Sequence, residues 1–212
     1  MSGHHQRRLA GGAGSLTTLT RSSRVTSSSS TDITGLVNSG DLIISNVSRK
    51  NNSVSTPAGF TVIVEKTSGF NTKLCYKISD GTETSGGNDG GSGGQVSTLI
   101  LRGDVPITGV AVLASDLKGG SSPAQASAST SGYTLPIVGL GFTGNEDNES
   151  PEGLSFSPTA DESWVTSSFS NKHTIDFKFY AEGDTPAANV TQEKDDGAGE
   201  DMHAAVVLEL SY

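Results

Sequence analysis

Cysteine is nearly absent from this chain of 212 residues. Cys75 is the only one, so no intramolecular disulfide can form. It sits in an apolar run, which marks it as a small buried hydrophobe. The four histidines, His4, His5, His173 and His203, form no H-x-x-x-H or H-E-x-x-H pattern, and a lone cysteine gives no C-x-x-C. A zinc or hydrolytic site therefore has no support, and no cofactor is expected. Hydrophobic residues make up 33% and aromatic residues 6%, which is lean for a globular core. Short strands joined by many loops give such a balance, and so does a protein stabilised partly by neighbouring subunits. No apolar run approaches bilayer-spanning length, and the chain start shows no apolar h-region, so neither membrane insertion nor a secretory signal is expected. No segment keeps apolar residues at i, i+3, i+4 and i+7, so helix should be minor, a single turn near Asp161 to Trp164 at most.

What the chain does have is strand chemistry. From Gly40 to Thr84 there are three short apolar runs, Leu42 to Val47, Phe60 to Val64 and Leu74 to Ile78. Their Ile, Val, Phe, Tyr and Thr suit a pleated, half-buried surface. Thr56-Pro57-Ala58-Gly59 and Asp80-Gly81 are turn signals. This is a β-meander that needs a second sheet to cover it. Val96 to Leu101, Ile107 to Ala114 and Tyr133 to Phe142 continue the pattern. Gly86 to Gly94 reads as a flexible loop by composition.

The second half echoes the first. Leu135 to Leu140 stands where Asp41 to Ile44 stood, and Ser150 to Leu154 where Thr56 to Phe60 stood. Ile175 to Tyr180 matches Leu74 to Ile78, and Ala204 to Leu210 matches Val96 to Leu101. The expected fold is all-β: an antiparallel, jelly-roll-like sandwich built from two similar halves over residues 31–212, preceded by an extended N-terminal arm, residues 1–30.

The net charge of -9 is unevenly spread. Residues 1–30 carry Arg7, Arg8, Arg21 and Arg24 and no acid, whereas residues 144–201 carry fourteen acids against three lysines. An acidic body does not favour nucleic acid, since the phosphate backbone repels it. The arginine-bearing arm is expected to lie along an acidic partner surface, most simply another subunit.

Several local motifs have plainer structural roles than the chemistry their letters suggest. Gly90-Gly91-Ser92-Gly93-Gly94 matches G-x-S-x-G in letters but lacks the strand and helix a nucleophile elbow needs. Arg102-Gly103-Asp104 is better explained as a turn ending a strand than as a cell-attachment tripeptide. The acid clusters Asn145 to Glu149 and Glu193 to Asp201 offer oxygen ligands for Ca²⁺, without EF-hand spacing. Trp164, Tyr133 and Tyr180 are either core aromatics or a sugar-stacking surface. A polymer hydrolase would need paired carboxylates, which sequence alone does not pair. No catalytic constellation is assigned.

Three segments carry a resemblance: Gly40-Asp41-Leu42-Ile43, Thr56-Pro57-Ala58-Gly59-Phe60-Thr61 and Tyr76-Lys77-Ile78-Ser79-Asp80-Gly81-Thr82-Glu83, followed by the strand Ser97 to Gly103. Together they resemble a β-sandwich module of virion structural proteins of tailed bacteriophages, over about residues 35–103, with Phe60 where Trp is commoner. The resemblance implies a non-enzymatic virion protein that assembles with capsid or tail subunits and forms a homo-oligomer. The position it favours is an exterior head decoration or fibre. The alternative is a tail-fibre or receptor-binding module recognising a host surface glycan.

Overall fold

The structure is a computed structural model. It describes residues 15–50, 52–67, 70–88, 94–119, 124–127, 135–145, 155–157, 159–165, 172–181, 189–193 and 202–212. The first half supplies β1 (Leu19–Ser27), β2 (Ser30–Asp32), β3 (Leu42–Lys50), β4 (Thr61–Lys66), β5 (Phe70–Ile78), β6 (Ser85–Asn88) and β7 (Gly94–Gly103). The second supplies β8 (Gly109–Gly119), β9 (Ala124–Ser127), β10 (Ile137–Asn145), β11 (Ser155–Ser157), β12 (Glu162–Val165), β13 (Lys172–Tyr180), β14 (Asn189–Glu193) and β15 (Met202–Ser211). All ladders between them are antiparallel.

Each half builds its own large sheet. The first has the order β1-β7-β3-β5-β4, the second β8-β15-β10-β13-β12. Read strand by strand, the two orders are the same. The register repeats as well. One row of the first sheet runs Thr61–Tyr76–Ile44–Leu99–Arg24. The matching row of the second runs Glu162–Phe177–Leu140–Val206–Ser115. The small sheets repeat too: β2 pairs with β6, and β9 pairs with β14, which β11 extends. The chain passes from large sheet to small and back within each half, which is a jelly-roll-like winding.

The two large sheets pack face to face. Leu42, Ile44, Leu99 and Leu101 from one side meet Val138, Leu140, Phe142, Phe177 and Val206 from the other in a single cluster. At one edge β4 lies near β8, and at the opposite edge Thr17 to Thr20 lie near Phe177 and Phe179. The small sheets cover the outer faces, so the molecule has four layers. This explains the lean composition. The outer layers approach closely over small side chains rather than over large rings. Thr31 on β2 meets Thr98 on β7 through their hydroxyls at 2.8 Å, and Ala124 and Ala126 on β9 pack on Ala205 and Val207. A Cβ on Gly86 would stand 2.3 Å from Thr98 Oγ1, so β6 can lie on the sheet only as glycine there.

Three expectations need correction. The boundary at residue 30 is not a structural break. β1 pairs with β7 from Leu19 to Ser27, and Leu16 and Leu19 are buried in the inter-sheet core. β1 is also the topological counterpart of β8, so the first half is incomplete without it. Second, the single helical turn near Asp161 to Trp164 is instead β12, an edge strand. Third, the Gly-rich segment from Gly86 is not wholly a loop. Gly86 and Gly87 are buried in β6, and Gly94 begins β7. Glycine content signals flexibility in an isolated chain, but here the absent side chain is what lets two layers touch.

Candidate functional site

The residues of the three resembling segments converge on two places at one end of the first sheet. The first is an ion pair. Arg102, on β7, donates from Nε to Asp41 Oδ1 at 2.8 Å and from Nη2 to Asp41 Oδ2 at 2.6 Å. Asp41 is buried and also accepts from the backbone N–H of Asn38 at 2.7 Å. The bidentate bond raises the Arg102 pKa above its usual value. The third residue of that tripeptide, Asp104, accepts the N–H of Thr17 at 3.0 Å and that of Thr18 at 3.3 Å. Bonding to Thr17 and Thr18 holds its carboxyl below the usual range. Arg102-Gly103-Asp104 is thus a fastening between strands, in line with a strand-ending turn.

The second place is a cleft of about 440 Å³ on the outer face. Its first wall is the turn before β4. Phe60 N–H donates to Pro57 O at 3.1 Å, and Gly59 takes a φ of 78°, open to glycine. Pro57, Ala58 and Phe60 line that wall. The other wall is the segment from Thr82 through β6, with Thr82, Thr84, Ser85 and Asn88 on the lining. Lys77 from β5 and Glu83 complete it.

Glu83 organises the second wall. Its carboxylate meets Lys77 Nζ at 2.9 Å and accepts the Ser79 hydroxyl at 2.5 Å and the Asp80 N–H at 3.0 Å. Burial is the largest single influence on its pKa and pushes it up. The bonds from Lys77, Ser79 and Asp80 together outweigh that and hold it at about 2. The sign of the consequence follows. A depressed folded-state value adds stability above the ordinary 4.5, and that stability is lost as pH falls through about 2. We expect Glu83→Gln to cost about 2–3 kcal/mol at neutral pH. The deficit should shrink steadily below pH 4.5 as the wild-type carboxylate is protonated. Urea midpoints of both proteins at neutral and acid pH test this. A deficit of equal size at both would show that the charge on Glu83 contributes nothing.

The other sequence-derived candidates are placed as follows. Arg7, Arg8 and Tyr133 lie outside the described residues, as do Gly90 to Gly93, Glu146 to Glu149 and Lys194 to Asp201. Arg21 and Arg24 lie on edge strand β1, not on a detached arm. Trp164 pairs in register with Ile175, and Tyr180 is half-buried against the outer cluster of Ala124, Ala126 and Ile137. Cys75 is fully buried and burial pushes its thiol to about 12, so it is unreactive, the small hydrophobe its apolar run indicates. Among the described residues no three His, Cys, Asp or Glu side chains are grouped to hold a metal ion. None of those residues forms a helix long and apolar enough to cross a membrane. The cleft itself was not legible in the sequence. Its signal was the two turn motifs, which read as punctuation until the fold faced them across β5.

The chain matches no known family model, no curated protein and no solved structure.

Proposed function

We propose that this chain is a non-enzymatic structural protein of a tailed-bacteriophage virion, an exterior head decoration or fibre subunit that works as a homo-oligomer. The observation that carries the reading is where the polar residues of the resembling segments go. Asp41 and Glu83 are each turned into the body to hold a turn or a strand end, and Arg102 fastens on Asp41. Residues used this way support an architecture rather than a reaction. Edge strands β1, β4 and β8 each carry a bulge, at Ser22, Ile63 and Leu113. Such bulges discourage sheets from fusing edge to edge, which suits copies crowded on one particle. Since β1 is part of the body, docking falls to the residues before Ser15, with Arg7 and Arg8. A tail-fibre or receptor-binding role is the second reading, and the open cleft favours it.

Antibody raised against the folded body and used in immunogold microscopy of virions from the source lysate tests both readings. Gold over the head is the expected result, and gold at the tail tip selects the second reading. Virions that carry no gold, while the free protein is present in the lysate, overturn both.

A further inference from the structure

We infer that the cleft between the Pro57–Phe60 turn and β6 is a binding site for one neutral pyranose unit of a saccharide. Its two walls differ in chemistry. Phe60 and Pro57 offer apolar surface for the hydrophobic face of a sugar ring. Across from them Thr82, Thr84 and Ser85 bring hydroxyl groups to the lining; those of Thr82 and Ser85 donate to Asp80 Oδ1 and to Gly87 O, so they meet a ring hydroxyl as acceptors. The volume, about 440 Å³, lies in the range of small-ligand sites.

Charge narrows the ligand class. Among the described residues Lys77 is the only cation on the lining, and Glu83 neutralises it at 2.9 Å. Glu83 stays ionised down to a pH of about 2, so its charge is there to oppose that of Lys77. An anionic ligand would find no uncompensated charge. An apolar ligand would strand the Lys77–Glu83 pair and the threonine hydroxyls away from water, at a cost that apolar contact with one wall does not offset. A neutral polyol ring meets both walls. Lys77 has three N–H groups and gives one to Glu83, which leaves donors for a ring oxygen or hydroxyl. The walls are also rigidly set, since Gly59 and Gly81 close the two turns at positive φ and Glu83 fixes the second from within. Little ordering is therefore lost on binding.

This inference supplies residues for the second reading above but does not depend on the chain's position in a particle. The test uses the isolated full chain. Methyl glycosides of glucose, galactose, mannose, rhamnose, N-acetylglucosamine and N-acetylgalactosamine are added singly up to about 20 mM, since single-ring affinities are millimolar. Saturation-transfer NMR and amide shift changes are then read. At least one glycoside should bind, with shifts confined to Phe60, Lys77 and the stretch from Thr82 to Asn88. Phe60→Leu, which keeps apolar bulk without a ring, should weaken that binding by about tenfold. Ala58→Trp, at an exposed position on the rim, should abolish it with the melting temperature unchanged. Absence of binding by all six glycosides overturns the inference, and so do shifts centred elsewhere. Full binding by the Ala58→Trp protein does the same. Immunogold results on virions bear on neither outcome.

Discussion

A chain that begins at Thr31 will not fold, and one that begins at Ser15 will. Among the described residues the packing starts at Leu16, which is fully buried, and continues with Leu19. Each buried leucine lost costs about 2–5 kcal/mol. The cut also removes β1, whose ladder with β7 runs from Leu19 opposite Gly103 to Ser27 opposite Val96. β7 is buried from Gly94 to Leu101, so its N–H and C=O groups on that side would lose their partners at a buried edge. Asp104 would lose the Thr17 and Thr18 amides it caps. Together these losses exceed the total stability of an ordinary domain, about 5–15 kcal/mol. Thermal melts followed by circular dichroism decide it. The 15–212 protein should melt cooperatively, close to the full chain. The 31–212 protein should show no transition or precipitate. If it melted like the full chain, β1 would be an accessory rather than a part of the fold. The same pair of proteins separates folding from docking. Removing residues 1–14 takes away Arg7 and Arg8 and leaves every described core residue in place. Only that shorter cut can ask whether the N-terminal arginines attach the protein to a partner.

The error about β1 has a physical source. Its positions in register with Gly103, Leu101 and Leu99 are Leu19, which is buried, Arg21, which is half-buried, and Arg24, which is exposed. An edge strand can bury its first leucine and leave the rest half in solvent, so the alternation that marks a strand fades. The central strands were legible for the opposite reason. β3 and β7 are covered on both faces, and Leu42–Ile44 and Leu99–Leu101 read as unbroken apolar runs. The echo between halves was readable in those same strands, because register demands apolar residues at matched rows such as Tyr76–Ile44–Leu99 and Phe177–Leu140–Val206. It was unreadable in the small sheets. There the selecting pressure is closeness of approach, met by Gly86 in one half and Ala124 and Ala126 in the other, and small residues leave no periodic signal. The site was less legible still. Asp41 and Arg102 are far apart in sequence, and nothing local marks either as a partner. Glu83 follows the Asp80-Gly81 turn signal, and nothing local in the sequence names its partners. Only the folded turn shows it bent back onto Ser79, Asp80 and Lys77.

Gly40→Ala should be a severely damaging single-methyl change. Gly40 holds a φ of 86°, where a side chain is strained by about 1–2 kcal/mol. The space is also taken. A Cβ there would stand 2.5 Å from Pro106 Cβ and 2.7 Å from Pro106 Cα, so relief requires moving backbone rather than rotating a side chain. That backbone is tied on both sides. Gly40 N–H donates to Ser79 O at 2.8 Å, and Gly40 O accepts from Ile107 N–H at 3.0 Å. Ile107 is buried in the inter-sheet core, and Ser79 bonds Glu83. Pushing Pro106 away therefore disturbs the core on one side and the Glu83 turn on the other. Overpacking of this kind adds about 1–3 kcal/mol to the strain, for a loss of about 2–5 kcal/mol in all. Gly35 supplies the control. It has a φ of 72° and nothing within 4 Å of its missing Cβ, so Gly35→Ala carries the conformational strain without the clash. Urea unfolding should place Gly35→Ala about 1–2 kcal/mol below wild type and Gly40→Ala well below that. Equal losses for the two would mean that Pro106 yields freely. The junction of the Gly40 turn with the Pro106–Ile107 segment would then be soft rather than the tight crossing that the contacts at Gly40 describe.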